Sequence, residues 1–384
     1  MIKIEVLKTI DEVEKEQINS LSKDGFFTYE WFKTIEISKA LKIIPKYIAI
    51  YEEEKIIAFV PCFIEFTAQY FTFEDKFPLI KKLRKISNHF GFSLALSLVC
   101  YSPCSFHSSV LIKKSYNKKR ILYLISKKID EICKKEKILF SSFLYVSEFD
   151  ELLTNHLKNF GYFNAPLMQT MYLDVKWSNF NDYLGSLESK IRKTVRREIN
   201  KNIECGIIIE QKKDFESISL LLSEFHSNLF YKYNNKISPF HPVFYEKLSE
   251  YMKDKVWLFI AMKKNKIVGF SLLLRHGKIL DVFIAGFDYD HQTKTDFTYF
   301  NLIYYIPISA AIEEGIEKIH FRGGAKSIKL RRGCKEENIE MFVKCHNKLL
   351  KFILNWYIQI KNKYRFIRFI ISKLKYILRK LIML

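Results

Sequence analysis

Two stretches far apart in the chain share one pattern of apolar and polar positions. Residues 46–64 read K-Y-I-A-I-Y-E-E-E-K-I-I-A-F-V-P-C-F-I, and residues 256–274 read V-W-L-F-I-A-M-K-K-N-K-I-V-G-F-S-L-L-L. Each is a pair of apolar runs of strand length around a charged turn, E-E-E-K in one and K-K-N-K in the other. Such runs, rich in branched and aromatic residues, predict a well-buried β-hairpin. Upstream of each lies an aromatic-rich segment that predicts the start of a helix: D-G-F-F-T-Y-E-W-F-K-T-I-E (24–36) and P-F-H-P-V-F-Y-E-K-L-S-E-Y (239–251). With a one-residue gap the copies align roughly 210 residues apart, and self-similarity of this kind signals two copies of one fold unit.

Both copies continue alike. After its hairpin each half reaches a long helix and then a buried strand, K-I-L-F-S-S-F-L-Y-V (137–146) in the first and I-E-K-I-H-F (316–321) in the second. Helices alternating with strands in this way predict an α/β fold, a mixed sheet flanked by helices, in each half. The boundary falls near 165–180, where M-Y-L-D-V-K-W reads as a strand shared between the halves. The expected organisation is therefore residues 1–170, residues 171–346 and a tail, 347–384. Along the tail Phe366, Ile367, Ile370, Leu374, Ile377, Leu378 and Leu381 repeat at helical spacing, with Arg365, Arg368, Ser372, Lys375 and Arg379 opposite. An amphipathic helix with a basic face suits an anionic membrane surface, and equally a helix docked on the core or on a second subunit.

Charge sharpens this picture. The chain of 384 residues has a net charge of +21, and from Met341 to Leu384 there are eleven Lys or Arg and no acid. The rest of the excess fits either a lysine-rich compositional bias or attraction to polyanions or an anionic membrane. Seven cysteines (62, 100, 104, 133, 205, 334 and 345) form no C-x-x-C pair, and an odd number cannot pair completely. A reducing compartment and no zinc-type cysteine site are expected. The first residues lack a secretory apolar core, and the apolar run at 92–101 is far short of a membrane span. The expected location is cytoplasmic, peripheral on the inner face of the membrane.

The motifs then follow in a characteristic order. S-L-E-S-K-I-R-K-T-V-R-R-E-I-N-K (186–201) comes before F-Y-E-K-L (244–248) and the second hairpin. T-Y-F-N-L-I-Y-Y-I-P-I-S-A-A-I-E-E-G (298–315) and R-G-G-A-K-S-I-K-L-R-R-G (322–333) come after it. With W-F-K-T-I-E and P-K-Y-I-A-I-Y in the first half, the series over about residues 20–345 resembles the FemAB-like acyltransferases, built of two tandem domains of the Gcn5-related N-acetyltransferase (GNAT) fold. The resemblance implies amide formation: an acyl or aminoacyl group passes from an activated carrier to an amine. The donor it implies is a thioester of coenzyme A or of a carrier protein, or else aminoacyl-tRNA, with no tightly bound cofactor. A second class also fits the residues, a non-catalytic module that binds membranes or polyanions.

The 322–333 stretch reads as a loop after a strand, whose backbone N–H groups point at an anion. Lys329 is placed to hold a carboxylate, a phosphate or the oxyanion of acyl transfer, with Arg332, Lys326, Gly323 and Gly324 around it. The same residues also read as a solvated basic loop. Arg192 and Arg196 lie at i,i+4 spacing, a repulsion that a phosphate-rich donor would answer. For the amine's proton Asp281, Asp288, Tyr299 and His320 are candidates. Asp281 interrupts an apolar strand, whereas His320 reads more simply as a core histidine. The family pattern departs here: Lys326, Ser327 and Ile328 stand where it carries glycine, glutamate and histidine, and Asn301 where its preceding helix carries glutamate. Orientation of the two substrates without a strong base is then the expected source of rate.

Overall fold

The computed structural model describes residues 2–22, 24–65, 97–107, 110–290 and 295–347, and the tail at 348–384 lies outside them. The first half runs β1 (Ile2–Leu7), α1 (Lys15–Leu21), α2 (Tyr29–Ser38), β2 (Ile43–Pro45), β3 (Tyr47–Glu52), β4 (Lys55–Val60) and β5 (Cys62–Glu65). It continues through β6 (Ser97–Cys100), β7 (Leu111–Ile112), α3 (Lys118–Lys135), β8 (Phe140–Ser147), α4 (Glu151–Asn159) and β9 (Phe163–Asp174). The second half runs α5 (Phe180–Ser186), α6 (Ser189–Glu204), β10 (Ile207–Lys212), α7 (Ser219–Asn234), α8 (Pro242–Met252), β11 (Val256–Lys263), β12 (Lys266–His276) and β13 (Ile279–Phe287). After a π-helical segment, Asn301–Tyr305, come α9 (Ile306–Glu313), β14 (Lys318–Arg322), α10 (Lys326–Arg331) and β15 (Lys335–Cys345).

The repeat extends to backbone detail. Both hairpins close through two left-handed residues, Glu53 and Glu54 in one and Lys264 and Asn265 in the other. Positive φ at both central positions gives a turn whose twist matches that of the strands. Each hairpin also slips register at the same place, between Ile50 and Tyr51 and between Ala261 and Met262. Pro61 has no N–H to give and separates β4 from β5, where the second half keeps one long strand, β12. In each half a parallel pair follows. The first, β6 with β8, ends at Cys100 opposite Phe143, and the second, β13 with β14, ends at Asp281 opposite His320. Two residues further on, both inner strands carry a left-handed non-glycine residue, Tyr145 at φ 59° and Arg322 at φ 60°.

The halves then exchange a strand. β9 pairs with β14 of the second half, while β15 pairs with β8 of the first and with β9. One sheet of 11 strands results, in the order β10-β11-β12-β13-β14-β9-β15-β8-β6-β5-β2, beside a four-stranded sheet β1-β3-β4-β7. β9 runs through residue 170, so backbone hydrogen bonds cross between the halves along its whole length. Helices cover the sheets by the expected stripes. On α3 Ile121, Ile125, Ile129 and Ile132 are buried at spacings of three and four. The repeat-related helices α2 and α8 pack together, and Trp31 meets Phe26, Phe244 and Phe283 edge to face at 4.9, 6.3 and 5.3 Å.

The 322–333 stretch corrects the reading of a loop. Gly324 and Ala325 are left-handed, and residues 326–331 then wind into the short helix α10. That winding turns Lys329 inward.

Candidate functional site

The chemistry gathers where β13 and β14 part. Asp281 interrupts an apolar strand and is buried, and its register partner on β14 is His320. The first half supplies the remainder through two loops. In the loop after β6, His107 places Nε2 3.7 Å from Asp281 Oδ1, and its ring lies 4.1 Å from that of His320. The loop before α2 brings Asp24, whose carboxylate accepts from Phe26 N at 2.7 Å. This loop reaches the second half because Gly25 has no side chain: a Cβ there would stand 3.2 Å from Leu274 Cβ. His276 Nε2 lies 3.1 Å from Ser22 O and ties the loop further.

Arg322 pins both loops. Its guanidinium lies 4.5 Å from the centre of the Phe106 ring and 5.1 Å from those of Phe26 and Phe283. It donates to the carbonyls of Phe283 and Cys104. A left-handed arginine is strained by about 1 kcal/mol or more, and this surrounding cage holds it there.

Burial and mutual charge set the protonation of the cluster. Burial, then the nearby Asp281 charge, push Asp24 up to about 7. For Asp281 burial acts upward, but the hydrogen bond and charge of His107, with the charge of Arg322, outweigh it and hold the carboxylate low. Burial acts against a charge on His107, and Asp281, Asp24 and Glu337 overcome it and raise that imidazole. His320 is driven down to about 3 by burial and then by His107, so it is a neutral ring.

The residues expected to clamp an anion are arranged otherwise. The Lys329 ammonium donates to the carbonyls of Phe321, Arg322 and Gly323 at 2.6, 3.1 and 2.7 Å. Its three hydrogens are thereby engaged, and burial first, with Arg322 adding to it, lowers its pKa to about 8. Lys329 is a buried strut, which corrects the anion-clamp reading. Arg332 is buried too: it pairs with Glu198 Oε2 at 2.9 Å and donates to Tyr305 Oη at 2.6 Å. Lys326 is exposed and bonded to Gln169 and Glu336. Gly323 lies against Met168, since a Cβ there would come within 2.4 Å of its Cε, and Gly324 supplies the left-handed turn.

Arg192 and Arg196 part company on α6. Arg192 folds back on the carbonyls of Gly185 and Leu187, while Arg196 is exposed beside Lys193 and Arg197. Asn301 is buried in the π-helical segment, donating to Glu198 O and Phe297 O, and so serves the backbone. Tyr299 packs tilted against Phe287 and edge to face with Phe300 and Tyr304, and burial raises its pKa. Neither contributes to the His107–Asp281–His320 cluster. Sequence reasoning found Asp281 and weighed His320 as a core histidine, but missed Asp24, His107 and Arg322. The signal available for Asp24 was the D-G-F-F turn, whose glycine permits the close approach.

The helix after β13 begins at an internal anion. The Asp296 carboxylate, 1% exposed, accepts from the N–H and hydroxyl of Thr298 at 3.1 and 2.9 Å. Among the described residues no helix is long and apolar enough to cross a membrane.

The model of the FemAB-like family, described as peptidoglycan biosynthesis/recognition, matches residues 7–372. The fold is similar to the crystal structure of FemX, with a TM-score of 0.59 and 12% identity over 86% of this chain and 96% of that one. A second similar structure is the C-terminal domain of a putative lysylphosphatidylglycerol synthetase from Agrobacterium fabrum, with a TM-score of 0.55 and 12% identity over 92% and 97% of the two chains. A third is a tandem GNAT protein from the clavulanic acid biosynthesis pathway, with a TM-score of 0.51 and 7% identity over 90% and 99%. No curated protein matches the sequence. The tandem α/β fold expected from the repeat is the fold found.

Proposed function

The chain belongs to the FemAB-like family and is a transferase, and from that premise we propose that it forms an amide by moving an aminoacyl group from tRNA to an amine. The observation that carries this reading is the meeting of two carboxylates, Asp24 from the first half and Asp281 from the second, beside His107 and inside the seam between the halves. Opposite charge at a buried, low-dielectric site attracts an amine, which arrives as its ammonium, far more strongly than the same charge in water. Held there beside an activated carbonyl, the amine reacts by proximity. The ammonium gives one proton to the Asp24 carboxylate, its nitrogen then forms the new bond to the carbonyl carbon, the carrier's C–O bond breaks, and the departing oxygen takes up the second proton.

Two observations favour RNA over a thioester as the donor. A diphosphate such as that of coenzyme A is suited to a helix N-terminus, and at the helix after β13 Asp296 already fills that position with its own carboxylate. On α6, Lys190, Lys193, Arg196 and Arg197 are exposed and offer a basic face to a phosphate backbone. The names of similar structures bear on both donors: one is the C-terminal domain of a putative lysylphosphatidylglycerol synthetase, and another is described without AcCoA. The acceptor class that fits the family description is a peptidoglycan precursor amine, and the basic, apolar tail would bring the protein to an anionic membrane that carries it. All seven cysteines lie outside disulfides, which suits a cytoplasmic setting.

The test is a matrix of donors and acceptors. The full chain is incubated with charged tRNA, acyl-coenzyme A or acyl-carrier protein, each with pooled amines, and products are identified by mass. Amide from charged tRNA is expected. Amide with thiol release from the thioesters would overturn the donor assignment, and no amide from any donor would overturn the amide-forming reading.

A further inference from the structure

An amine attacking an ester leaves negative charge on the carbonyl oxygen, and that charge must meet something positive. The lysine expected to do so, Lys329, is engaged by three carbonyls. Arg332 is engaged by Glu198 and Tyr305. The seam instead holds a set of residues with a different capability. One ligand atom each from His107, Asp281 and His320 lies within 4.8 Å of the others.

We propose that His107, Asp281 and His320 bind one divalent transition-metal ion of zinc's class, joining the two halves and polarising the carbonyl of the donor. Two imidazoles and a carboxylate are the donor set such an ion prefers over magnesium or calcium, and three protein ligands leave a coordination position open. Ligand atoms around an ion with bonds of about 2.0–2.2 Å stand roughly 3.3 Å apart in a tetrahedron, so separations of up to 4.8 Å must close by up to about 1.5 Å. His107 can supply that movement, since it belongs to a loop and lies beyond the last residue of β6, Cys100.

This role for the ion rests on the amide-forming reading, whereas its binding does not. In the reaction the electron pair of the carbonyl bond moves onto the oxygen facing the ion as the amine nitrogen bonds to carbon. The pair then returns as the carrier's C–O bond breaks, with the amine's second proton passing to the departing oxygen. The ion changes neither charge nor oxidation state.

The experiment measures the metal directly. The full chain is stripped with chelator, titrated with zinc and with cobalt, and its metal content is measured after gel filtration. One equivalent of zinc is expected, with the visible absorption of four-coordinate cobalt in the substituted protein. His320→Ala and His107→Ala should each weaken binding at least tenfold. His107, which lies on a loop, serves as the control if the strand variant fails to fold. Binding below one-tenth of an equivalent, or stoichiometric binding that both variants leave unchanged, overturns the site. Amide formation is then assayed with and without chelator. Turnover that is unchanged in the stripped protein overturns the ion's role while leaving the transferase reading intact. No turnover in either state, with zinc bound, counts against the transferase reading and leaves the site standing.

Discussion

The two halves reach the same point in the fold and place different chemistry there. In the first, the parallel strands end at Cys100 and Phe143 and the left-handed residue after them is Tyr145, near Tyr101 and Phe106. In the second they end at Asp281 and His320, and the left-handed residue is Arg322, which acts on Asp24 across the seam. The backbone pattern is therefore a property of the fold unit, since it survives with either set of side chains. The side chains are a property of the half. The first half has closed its divergence point with rings, and the loops around it supply two of the groups that equip the second.

The largest effect should come from moving the charge to the wrong half. Cys100→Asp places a carboxylate at the position equivalent to Asp281 but among Cys62, Cys133 and apolar strands. An unpaired buried charge costs several kcal/mol, so the variant should be found unfolded or insoluble by circular dichroism. A folded Cys100→Asp protein would mean that the two divergence points are equally tolerant.

Next comes the buried pair that props the second half. Glu198→Ala leaves Arg332, 5% exposed, without its carboxylate. Chemical denaturation should register a loss of about 3–5 kcal/mol. A loss below about 1 kcal/mol would show that Tyr305 and the rings of Phe300 and Tyr304 suffice to hold the guanidinium.

A third test uses pH. His226 is buried against Phe230 and Phe240, with Ser238 Oγ 3.2 Å from Nδ1, and burial lowers its pKa from 6.5 to about 4. The folded protein favours the neutral ring, so between these values the unfolded chain binds the extra proton. His226 therefore contributes stability that is full above pH 6.5 and falls, by about 3 kcal/mol in total, as the pH drops to 4. In His226→Gln the pH dependence of the denaturation midpoint should be flatter over that window. An identical slope in the variant would remove His226 from the account.

The smallest effects separate two glycines. A Cβ on Gly286 would come within 2.7 Å of backbone atoms of Phe225 and His226 as well as 2.4 Å from Phe270. On Gly323 the close atom is the flexible Met168 Cε, at 2.4 Å. Gly286→Ala should therefore lower stability by about 2 kcal/mol and Gly323→Ala by under about 1 kcal/mol, because only the methionine can rotate away. The reverse order of melting temperatures would mean that α7 shifts more freely than β13 implies.

Much of the fold was legible because it is local. Charged two-residue turns between apolar runs announced both hairpins, and their likeness announced the repeat. The strand exchange was legible in part: M-Y-L-D-V-K-W read as a strand shared between the halves and overlaps β9, whereas the pairing of β15 with β8 was hidden, because such partners are set by which edges remain open after each half folds. Asp281 showed itself by breaking an apolar run. Asp24 and His107 had no such contrast, since each lies in a polar loop, and only the packing of one half on the other brings them to it. Lys329 was misread for a related reason. A basic stretch with two glycines looks like a loop, whereas the left-handed Gly324 and Ala325 begin a short helix that turns the ammonium back onto its own strand.

The central claim is that the divergence point of the second half, and not that of the first, performs the transfer. It is tested most directly by a matched pair of variants at equivalent positions, Asp281→Asn and Cys100→Ala, assayed for amide product in a single turnover with charged tRNA and an amine acceptor. The account predicts that Asp281→Asn loses at least a hundredfold in rate while its melting temperature stays within a few degrees, and that Cys100→Ala keeps the wild-type rate. Wild-type rates in Asp281→Asn would contradict it.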